Sequence, residues 1–181
     1  MNNLRKLVAL VVVGMGSWVS PSFAALTVGT PAPKFSAPAY LAGESFTFNL
    51  ADALKKGPVV VYFFPAAHTS GCNVEAHLFS AAIDQFKAFN ATVIGVTAGN
   101  VDQLAEFSKE TEYCSGKFPV AADTGAKIAG QYDAILAQKP EWSNRTSYVI
   151  ASTGEIVHVY SDLNPTEHVK QTLDAVKLLK K

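Results

Sequence analysis

Residues 59–72 read VVVYFFPAAHTSGC, and this stretch is the most informative part of the chain about its fold. Its first six residues are all apolar and begin with β-branched valines, a pattern typical of a strand buried on both faces of a sheet. Small and turn-forming residues lead from this strand to Cys72. From Asn73 onward, apolar residues recur with the 3.6-residue period of an amphipathic helix. The stretch therefore predicts a central strand, a short loop and a long helix, with Cys72 in the first turn of that helix.

Strand and helix patterns alternate through the rest of the chain. We predict an extended segment at 30–35, a strand running into a helical turn at 46–54, strands at 91–98 and 118–123, and a hairpin that joins 145–152 to 155–161. Further helices are predicted over 101–113, capped by Asn100 or Asp102, over 126–134, and from Pro165 onward, with Val169, Leu173, Val176 and Leu179 facing inward. This alternation predicts an α/β fold of the thioredoxin-like kind, with a central mixed β-sheet flanked by helices.

The first 24 residues have the features of an export signal. Arg5 and Lys6 precede an unbroken apolar run over 7–13, and the small residues Ser22 and Ala24 suit cleavage after Ala24. The apolar run is shorter than the roughly 18 residues that a membrane-spanning helix needs. We therefore expect residues 25–181 to form a single mature domain, exported to the periplasm and free of the membrane once the signal is cleaved.

Charge and cysteine count restrict the possible functions. All 15 acidic residues follow position 24, whereas two of the 15 basic residues precede it, so the mature chain carries a net charge of −2. That balance argues against a nucleic-acid-binding protein, which needs a basic face. Two cysteines, Cys72 and Cys114, are too few for a fold stapled by disulfides. In an oxidising compartment they either form one structural disulfide, or Cys72 is a nucleophile.

The surroundings of Cys72 favour a nucleophile. A cysteine at a helix N-terminus lies near unpaired backbone N–H groups and the positive end of the helix dipole, and both stabilise a thiolate. Thr69 can direct its hydroxyl at the sulfur or at an oxygen bound there. Pro65 has a fixed φ and no N–H, so it can shape the loop and shield the sulfur from water. Gly71 lets the backbone approach a small ligand closely.

Pro65, Thr69 and Cys72 together spell PxxxTxxC, and the chain resembles the family that carries this signature, the peroxiredoxins of the alkyl hydroperoxide reductase and thiol-specific antioxidant superfamily. VGTPAPKF (28–35) is similar to the N-terminal segment of that family, and Arg145 in RTSYVI stands where the family has an arginine before a late strand. The resemblance covers the chain from about Val28 to the last helix. Within the family, the chain most resembles the bacterioferritin-comigratory, or Q-type, group.

This resemblance implies an activity and a set of roles. The protein would be a thiol-dependent peroxidase that reduces hydrogen peroxide, organic hydroperoxides or both. Cys72 would be the peroxidatic thiol that becomes a sulfenic acid, with Pro65, Thr69 and Arg145 around it. A thioredoxin-like or other thiol reductant would then restore the enzyme. Neither an organic cofactor nor a metal is expected.

The chain departs from the Q-type pattern in three respects. His77 occupies the position, five residues after Cys72, where that group often has a second cysteine. Ser70 stands where proline is common, and an exported member is unusual. Cys114 is then the candidate resolving thiol, which we expect at the end of the helix predicted over 101–113, in a loosely held turn. The alternative is that Cys114 is a surface thiol and that an external thiol resolves Cys72.

Several other residues near the motif have simpler interpretations. Glu75, in the first turn of the helix, is expected to complement the helix dipole, although family members often use a polar residue there to bond the active-site arginine. His68 and His77 flank Cys72 without the spacing of common metal ligands. His158 and His168 are expected at the surface. The sequence leaves a monomer and a dimer equally open.

A second functional hypothesis is an exported thioredoxin-fold protein, either a thiol-disulfide redox protein or a binding protein, with a structural Cys72–Cys114 disulfide. Redox proteins of that kind carry CxxC, and Glu75 occupies the position of the second cysteine. A binding protein would not need Pro65, Thr69 and Arg145 together. Both observations favour the peroxidase.

Overall fold

Seven strands and five α-helices occur within residues 25–179, the part of the chain that the computed structural model describes. The predicted signal peptide, residues 1–24, lies outside it. The strands are β1 (Ser36–Leu41), β2 (Glu44–Asn49), β3 (Val59–Phe63), β4 (Thr92–Thr97), β5 (Val120–Ala122), β6 (Thr146–Ile150) and β7 (Ile156–Ser161). The helices are α1 (Leu50–Leu54), α2 (Ser70–Lys87), α3 (Leu104–Lys109), α4 (Lys127–Gln131) and α5 (His168–Leu178).

Strand β3, which begins the stretch 59–72, lies inside the sheet. Among the described residues the strand order is β2-β1-β5-β4-β3-β6-β7. β3 runs parallel to β4, with Val61 opposite Ile94, and antiparallel to β6, with Val61 opposite Tyr148. All five residues of β3 are buried. The mixed sheet, the helices on both of its faces and the β6–β7 hairpin confirm the predicted fold class.

The sheet separates two apolar cores, because successive side chains of a strand point to opposite faces. Val61 and Phe63 of β3 belong to the core that includes residues of α1 and α4. Tyr62 and Phe64 belong to the core that includes residues of α2, α3 and α5. Cys72 and Cys114 both lie in this second core, which we call the thiol-side core.

The helix predicted over 101–113 is wrong at both ends. Its beginning is a single 3-10 turn, Val101–Gln103, and the α-helix ends at Lys109. Glu110 leaves the helical conformation with ψ 127°. The chain turns here because the next apolar residues, Tyr113 and Cys114, pack into the thiol-side core instead of continuing along the helix.

Neither predicted cap closes this helix. Asn100 has a left-handed backbone with φ 52°, and its side chain donates a hydrogen bond to the carbonyl of Ala67 at 2.9 Å. Asp102 lies inside the 3-10 turn. Asn100 therefore serves the loop before Cys72, a contact between distant segments that helix-capping rules do not address.

Three other boundaries differ from the predictions. No strand was expected over Ser36–Leu41, because proline and alanine are uncommon in strands. This segment nevertheless pairs with β2 along its whole length. The helix predicted over 126–134 is limited to Lys127–Gln131. α5 begins three residues after Pro165, and Leu179 is 38% exposed instead of facing inward.

Within residues 25–179, no helix is both long and apolar enough to cross a membrane.

Candidate active site

Cys72 lies in the first turn of α2, nine residues after the end of β3. Thr69 is the N-cap residue, with an extended backbone (φ −102°, ψ 148°), and its carbonyl accepts a hydrogen bond from the N–H of Asn73 at 2.9 Å. The thiol side chain is almost fully buried, since Cys72 is 1% exposed. The first N–H groups of an α-helix have no partner within the helix and carry its positive partial charge. The structure thus places Cys72 in the first helical turn, as predicted.

Arg145 reaches Cys72 because β6 runs antiparallel to β3. Thr146, the first residue of β6, lies opposite Phe63, the last residue of β3, so Arg145 stands beside the loop that leads to Cys72. Its Nη2 donates a hydrogen bond to the sulfur of Cys72 at 3.4 Å. Arg145 is itself buried. A fixed positive charge in this position stabilises negative charge on the sulfur.

Other contacts hold the guanidinium of Arg145 in place. Nη1 donates to the carboxylate of Glu75, and Nε donates to the carbonyl of Leu163 at 2.9 Å. Gly71 also limits its position, because a Cβ atom there would lie 3.0 Å from Nη2. The guanidinium of arginine carries its N–H donors in one rigid plane and can bond three partners in fixed directions. The compact ammonium group of lysine has no such plane.

Glu75 is a buried partner of Arg145 and not a surface complement to the helix dipole. It lies one turn after Cys72 on α2 and is fully buried. Burial raises the pKa of Glu75 to about 8, although the nearby Arg145 acts in the opposite direction. Burial thus favours the protonated carboxyl, whereas the guanidinium of Arg145 favours the carboxylate. The expectation that Glu75 merely faces the helix dipole is wrong.

His168 is also buried, against the expectation of a surface histidine. Its Nε2 is 2.8 Å from the carbonyl of Asp162, so this nitrogen carries the proton and donates it. Nδ1 lies 2.8 Å from the hydroxyl of Ser147 and 3.6 Å from Oε1 of Glu75. Burial lowers the pKa of His168 to about 4, so the ring is neutral at pH 7 and Nδ1 accepts the proton of Ser147. A polar chain thus extends from Cys72 through Arg145 and Glu75 to His168.

The loop between β3 and α2 is fixed by backbone and side-chain hydrogen bonds. The hydroxyl of Thr69 donates to the carbonyl of Ala66 at 3.0 Å, and the carbonyl of Pro65 accepts from the hydroxyl of Thr97 at 3.0 Å. Asn100 holds the carbonyl of Ala67, as described above. Thr69 and Pro65 therefore border the loop that precedes Cys72, with the Thr69 hydroxyl bonded within the loop.

Cys114 lies in a different kind of environment. It follows α3 in the segment 110–117, which we call the Cys114 turn, and it is fully buried. The turn is held by backbone bonds, since the N–H groups of Tyr113 and Ser115 both donate to the carbonyl of Glu110, at 3.1 and 2.9 Å. Burial raises the pKa of Cys114, and the charge of Glu110 adds to this effect. The prediction of a surface thiol is wrong, and that of a loosely held turn stays a prediction.

The two cysteines are free thiols that share one core. Tyr62 of β3 stands near both of them. Burial raises the pKa of the Tyr62 phenol well above its ordinary value, and negative charge on Cys114, Glu75 or Cys72 adds to the effect. The phenol oxygen has no hydrogen-bond partner among the described residues. The fold thus gathers Cys72, Arg145 and Glu75 into one polar site and sets Cys114 in the apolar packing beside it.

The sequence model of the AhpC/TSA family matches residues 28–159. The chain belongs to this family of peroxiredoxins. Peroxiredoxin Bcp of Escherichia coli (strain K12) is 29% identical over 157 residues, covering 84% of this chain and 96% of the relative. The chloroplastic peroxiredoxin Q of Sedum lineare is 28% identical over 159 residues, covering 87% of this chain and 82% of the relative.

Solved structures of peroxiredoxins have the same fold. The crystal structure of the peroxidoxin BcpB from Mycobacterium tuberculosis has a TM-score of 0.74 and 25% identity, covering 85% of this chain and 98% of that one. AhpC of the same organism has a TM-score of 0.74 at 20% identity, covering 87% and 95%, and shows the fold alone. The relatives are consistent with the Q/Bcp group, and as a peroxiredoxin the chain is a thiol-dependent peroxidase.

Part of the peroxiredoxin site escaped sequence reasoning. His168 stands four and eight residues before Thr172 and Val176, and this spacing places it on the buried face of α5. That signal was available and would have predicted burial. Thr97 and Asn100 gave no such signal, because their roles arise from the parallel pairing of β3 with β4, which sets the end of β4 beside the loop after β3. Within residues 25–179 no group of three or more acidic, histidine or cysteine side chains is arranged to hold a metal.

Proposed function

We propose that this peroxiredoxin reduces hydrogen peroxide, organic hydroperoxides or both, through a sulfenic acid on Cys72. The observation that carries the proposal is the hydrogen bond from Arg145 Nη2 to the buried sulfur of Cys72, at 3.4 Å. A cysteine whose sulfur faces a fixed guanidinium at a helix N-terminus is suited to act as a thiolate nucleophile.

In the proposed first step, the Cys72 thiolate attacks the terminal oxygen of the hydroperoxide. An S–O bond forms as the O–O bond breaks, sulfur is oxidised to a sulfenic acid, and the leaving oxygen takes up a proton to become water or an alcohol. Negative charge moves from the sulfur to the leaving oxygen during the attack. Arg145 and the N–H groups of the first turn of α2 would stabilise this charge in both positions.

Pro65 and Thr69 are proposed to shape the peroxide pocket. Thr69 stands at the N-cap of α2, and its hydroxyl oxygen keeps free lone pairs while it donates to Ala66. These lone pairs are proposed to accept a hydrogen bond from the peroxide. Pro65, whose carbonyl is tied to Thr97, is proposed to keep bulk water from the sulfur.

We propose that Cys114 resolves the sulfenic acid. Its sulfur would attack the sulfur of Cys72, release water and leave a Cys72–Cys114 disulfide, which a thioredoxin-like thiol reductant would reduce. The shared core of the two cysteines supports this pairing. A disulfide requires its sulfur atoms about 2.05 Å apart, whereas both cysteines are buried free thiols in this structure. The proposal therefore includes a local opening of the structure before the bond forms.

Export to the periplasm, with residues 25–181 as the mature domain, is proposed from the features of residues 1–24 alone. A periplasmic thioredoxin-like protein would then be the reductant.

Peroxide consumption by the reduced protein tests this function. Mature protein is mixed with one equivalent of hydrogen peroxide or of tert-butyl hydroperoxide, and the fluorescence of Trp142, the one tryptophan in residues 25–181, is followed with the loss of peroxide. We expect rapid consumption that disappears in Cys72→Ser and persists in Cys114→Ser. A wild-type protein that does not consume either peroxide would refute the proposal.

Peptide mapping under non-reducing conditions tests the resolving step. A Cys72–Cys114 peptide in the oxidised wild-type protein would support the assignment of Cys114. If the protein consumes peroxide but stops at a sulfenic acid on Cys72, an external thiol is needed, and the peroxidase proposal stands without Cys114.

A further inference from the structure

Two histidines flank Cys72 in the sequence, and both contact the Cys114 turn. His68 lies four residues before Cys72, in the loop between β3 and α2. His77 lies five residues after Cys72, on α2. The peroxidase reaction described above uses neither of them, and nothing about their spacing indicates a metal site.

His68 connects the loop before Cys72 to α3 and to the first residue of the Cys114 turn. Its Nδ1 is 2.7 Å from the side-chain oxygen of Gln103, and its Nε2 is 2.9 Å from the carboxylate of Glu110. The imidazole ring also meets the ring of Phe107 edge to face at 5.3 Å and that of Tyr113 at 5.7 Å.

The hydrogen bonds of His68 indicate a charged ring. Both ring nitrogens face oxygen atoms, and both can donate at once only when the imidazole is doubly protonated. Burial opposes protonation, but the hydrogen bonds to Gln103 and Glu110 outweigh it and, with the nearby charge of Glu106, raise the pKa of His68. When the ring is protonated, its contact with Glu110 is charge-assisted, and such hydrogen bonds are stronger than neutral ones.

The backbone of His68 shows that its position is imposed by the surrounding structure. Its φ of 60° lies in the left-handed region, which most residues other than glycine avoid. This conformation directs the side chain away from the loop and across to α3.

On the other side of Cys72, α2 makes two further contacts with the Cys114 turn. Nδ1 of His77 is 3.2 Å from the carbonyl of Glu112, and Nζ of Lys117 donates to the carbonyl of Ser80 at 3.2 Å. The Cys114 turn is thus tied to the segment that carries Cys72 both before and after the cysteine.

We propose that His68 and His77 form a clasp that holds the Cys114 turn closed, and that opening of this clasp limits the rate at which Cys114 reaches the oxidised Cys72. The inference rests on the proposed role of Cys114 as the resolving thiol. His68 and His77 are positioning residues in this proposal, since neither touches the peroxide or the sulfur atoms.

The clasp sets the lifetime of the sulfenic acid on Cys72. While the Cys114 turn is closed, a second peroxide can oxidise the sulfenic acid to a sulfinic acid, with release of a second water or alcohol. Resolution by Cys114 competes with this reaction. A tighter clasp therefore makes the enzyme more sensitive to excess peroxide, and a weaker clasp protects it.

Substitution of His68 by asparagine tests the clasp directly. Asparagine tolerates the left-handed backbone but is too short to reach Glu110, so the loop keeps its shape and loses the contact. In single-turnover experiments the sulfenic acid is trapped with dimedone and the disulfide is measured after acid quenching. We expect disulfide formation to be faster than in the wild type by about tenfold in His68→Asn. It should be faster by a few-fold in Glu110→Gln and in His77→Ala, which removes the donor to the carbonyl of Glu112.

A matched control lies on the same helix as His77. Asp84 is exposed on α2 and pairs with Lys87 instead of the Cys114 turn, so Asp84→Asn should leave disulfide formation unchanged. The rate of sulfenic acid formation should not change in any of these variants. At high peroxide, the fraction of Cys72 found as sulfinic acid should fall in His68→Asn by about the factor by which resolution accelerates.

Equal rates of disulfide formation in His68→Asn and the wild type, with both proteins folded by circular dichroism, would overturn the clasp. A change in sulfenic acid formation as large as the change in resolution would overturn it as well, because it would mean a distorted loop. If peroxide is consumed but no Cys72–Cys114 disulfide forms in the wild type, the clasp has no resolving step to control and is also refuted, while the peroxidase proposal survives.

Labelling of Cys114 provides a test that does not depend on peroxide. In the Cys72→Ser background, a thiol reagent such as DTNB reacts with Cys114 only when the turn opens. The clasp requires faster labelling in Cys72→Ser/His68→Asn than in Cys72→Ser, again by about tenfold. Identical labelling rates would refute it even if the protein proved to have no peroxidase activity.

Discussion

Cys72 and Cys114 are both buried in the same core, yet the charges nearest to the two sulfur atoms have opposite signs. The sulfur of Cys72 faces the guanidinium of Arg145 at the N-terminus of α2. Cys114 faces apolar packing and the carboxylate of Glu110, and burial raises the pKa of its thiol. Burial therefore does not decide the reactivity of a cysteine; the sign of the charges fixed around it does.

The two surroundings also differ in how far they extend. The polar site of Cys72 continues through Arg145 and Glu75 to His168, on elements separated widely in the sequence. Cys114 depends on a local turn that the His68–Glu110 contact helps to hold. This contrast predicts which substitutions affect one thiol and leave the other alone.

Arg145→Met should have the largest effect on the difference in reactivity between Cys72 and Cys114. It removes the positive charge beside Cys72, and we expect the second-order rate of Cys72 oxidation by peroxide to fall by about 10²–10³-fold. Stopped-flow fluorescence under single-turnover conditions measures this rate. Labelling of Cys114 by DTNB, measured in the Cys72→Ser background, should be the same with and without Arg145→Met. A rate of Cys72 oxidation close to that of the wild type would show that the helix N-terminus alone activates the sulfur.

Acidification should weaken the polar site through His168. Because the folded protein lowers the pKa of this histidine from 6.5 to about 4, the unfolded chain binds more protons between these values. Its stabilising contribution is therefore complete above pH 6.5 and is lost as the pH falls towards 4, by about 3 kcal/mol. Glu75 has the opposite sign, since its raised pKa favours folding at low pH.

His168→Gln isolates this contribution, because Glu75 remains in both proteins. Urea unfolding at pH values from 4 to 7 should show that the wild type loses about 3 kcal/mol more than His168→Gln as the pH falls. Parallel curves of unfolding free energy for the two proteins would mean that His168 is not held neutral by burial.

Gly71→Ala should have the smallest effect of these substitutions, and it should act on the rate of Cys72 oxidation. The added Cβ atom would lie 3.0 Å from Nη2 of Arg145, which its bonds to Glu75 and Leu163 prevent from moving freely. We expect Cys72 oxidation to slow by about tenfold, because small displacements of a catalytic group are costly. Gly130→Ala is the matched control, since nothing lies within 4 Å of its added Cβ atom in α4. Equal peroxide rates for the two alanine variants would contradict this view of the Arg145 contacts.

The sequence predicted the fold and the activity better than it predicted the second thiol. VVVYFF, the following loop and the helical period from Asn73 identify β3 and α2 and place Cys72 in the first helical turn, because these features depend on neighbouring residues. The position of Cys114 was predicted poorly, because the end of α3 at Lys109 depends on Tyr113 and Cys114 packing against a distant strand and helix. The 3.6-residue spacing of apolar residues alone predicts a helix that continues past Lys109.

Sequence alone identified Pro65, Thr69, Cys72 and Arg145 as the residues proposed to carry the chemistry, because a motif depends only on residue type and spacing. The electrostatics of the site depend on the tertiary structure, because the antiparallel pairing of β6 with β3 sets Arg145 beside Cys72 and the packing of α2 and α5 buries Glu75 and His168. A charge acts according to its distance from the sulfur and its separation from water, and neither quantity is written in the order of the residues.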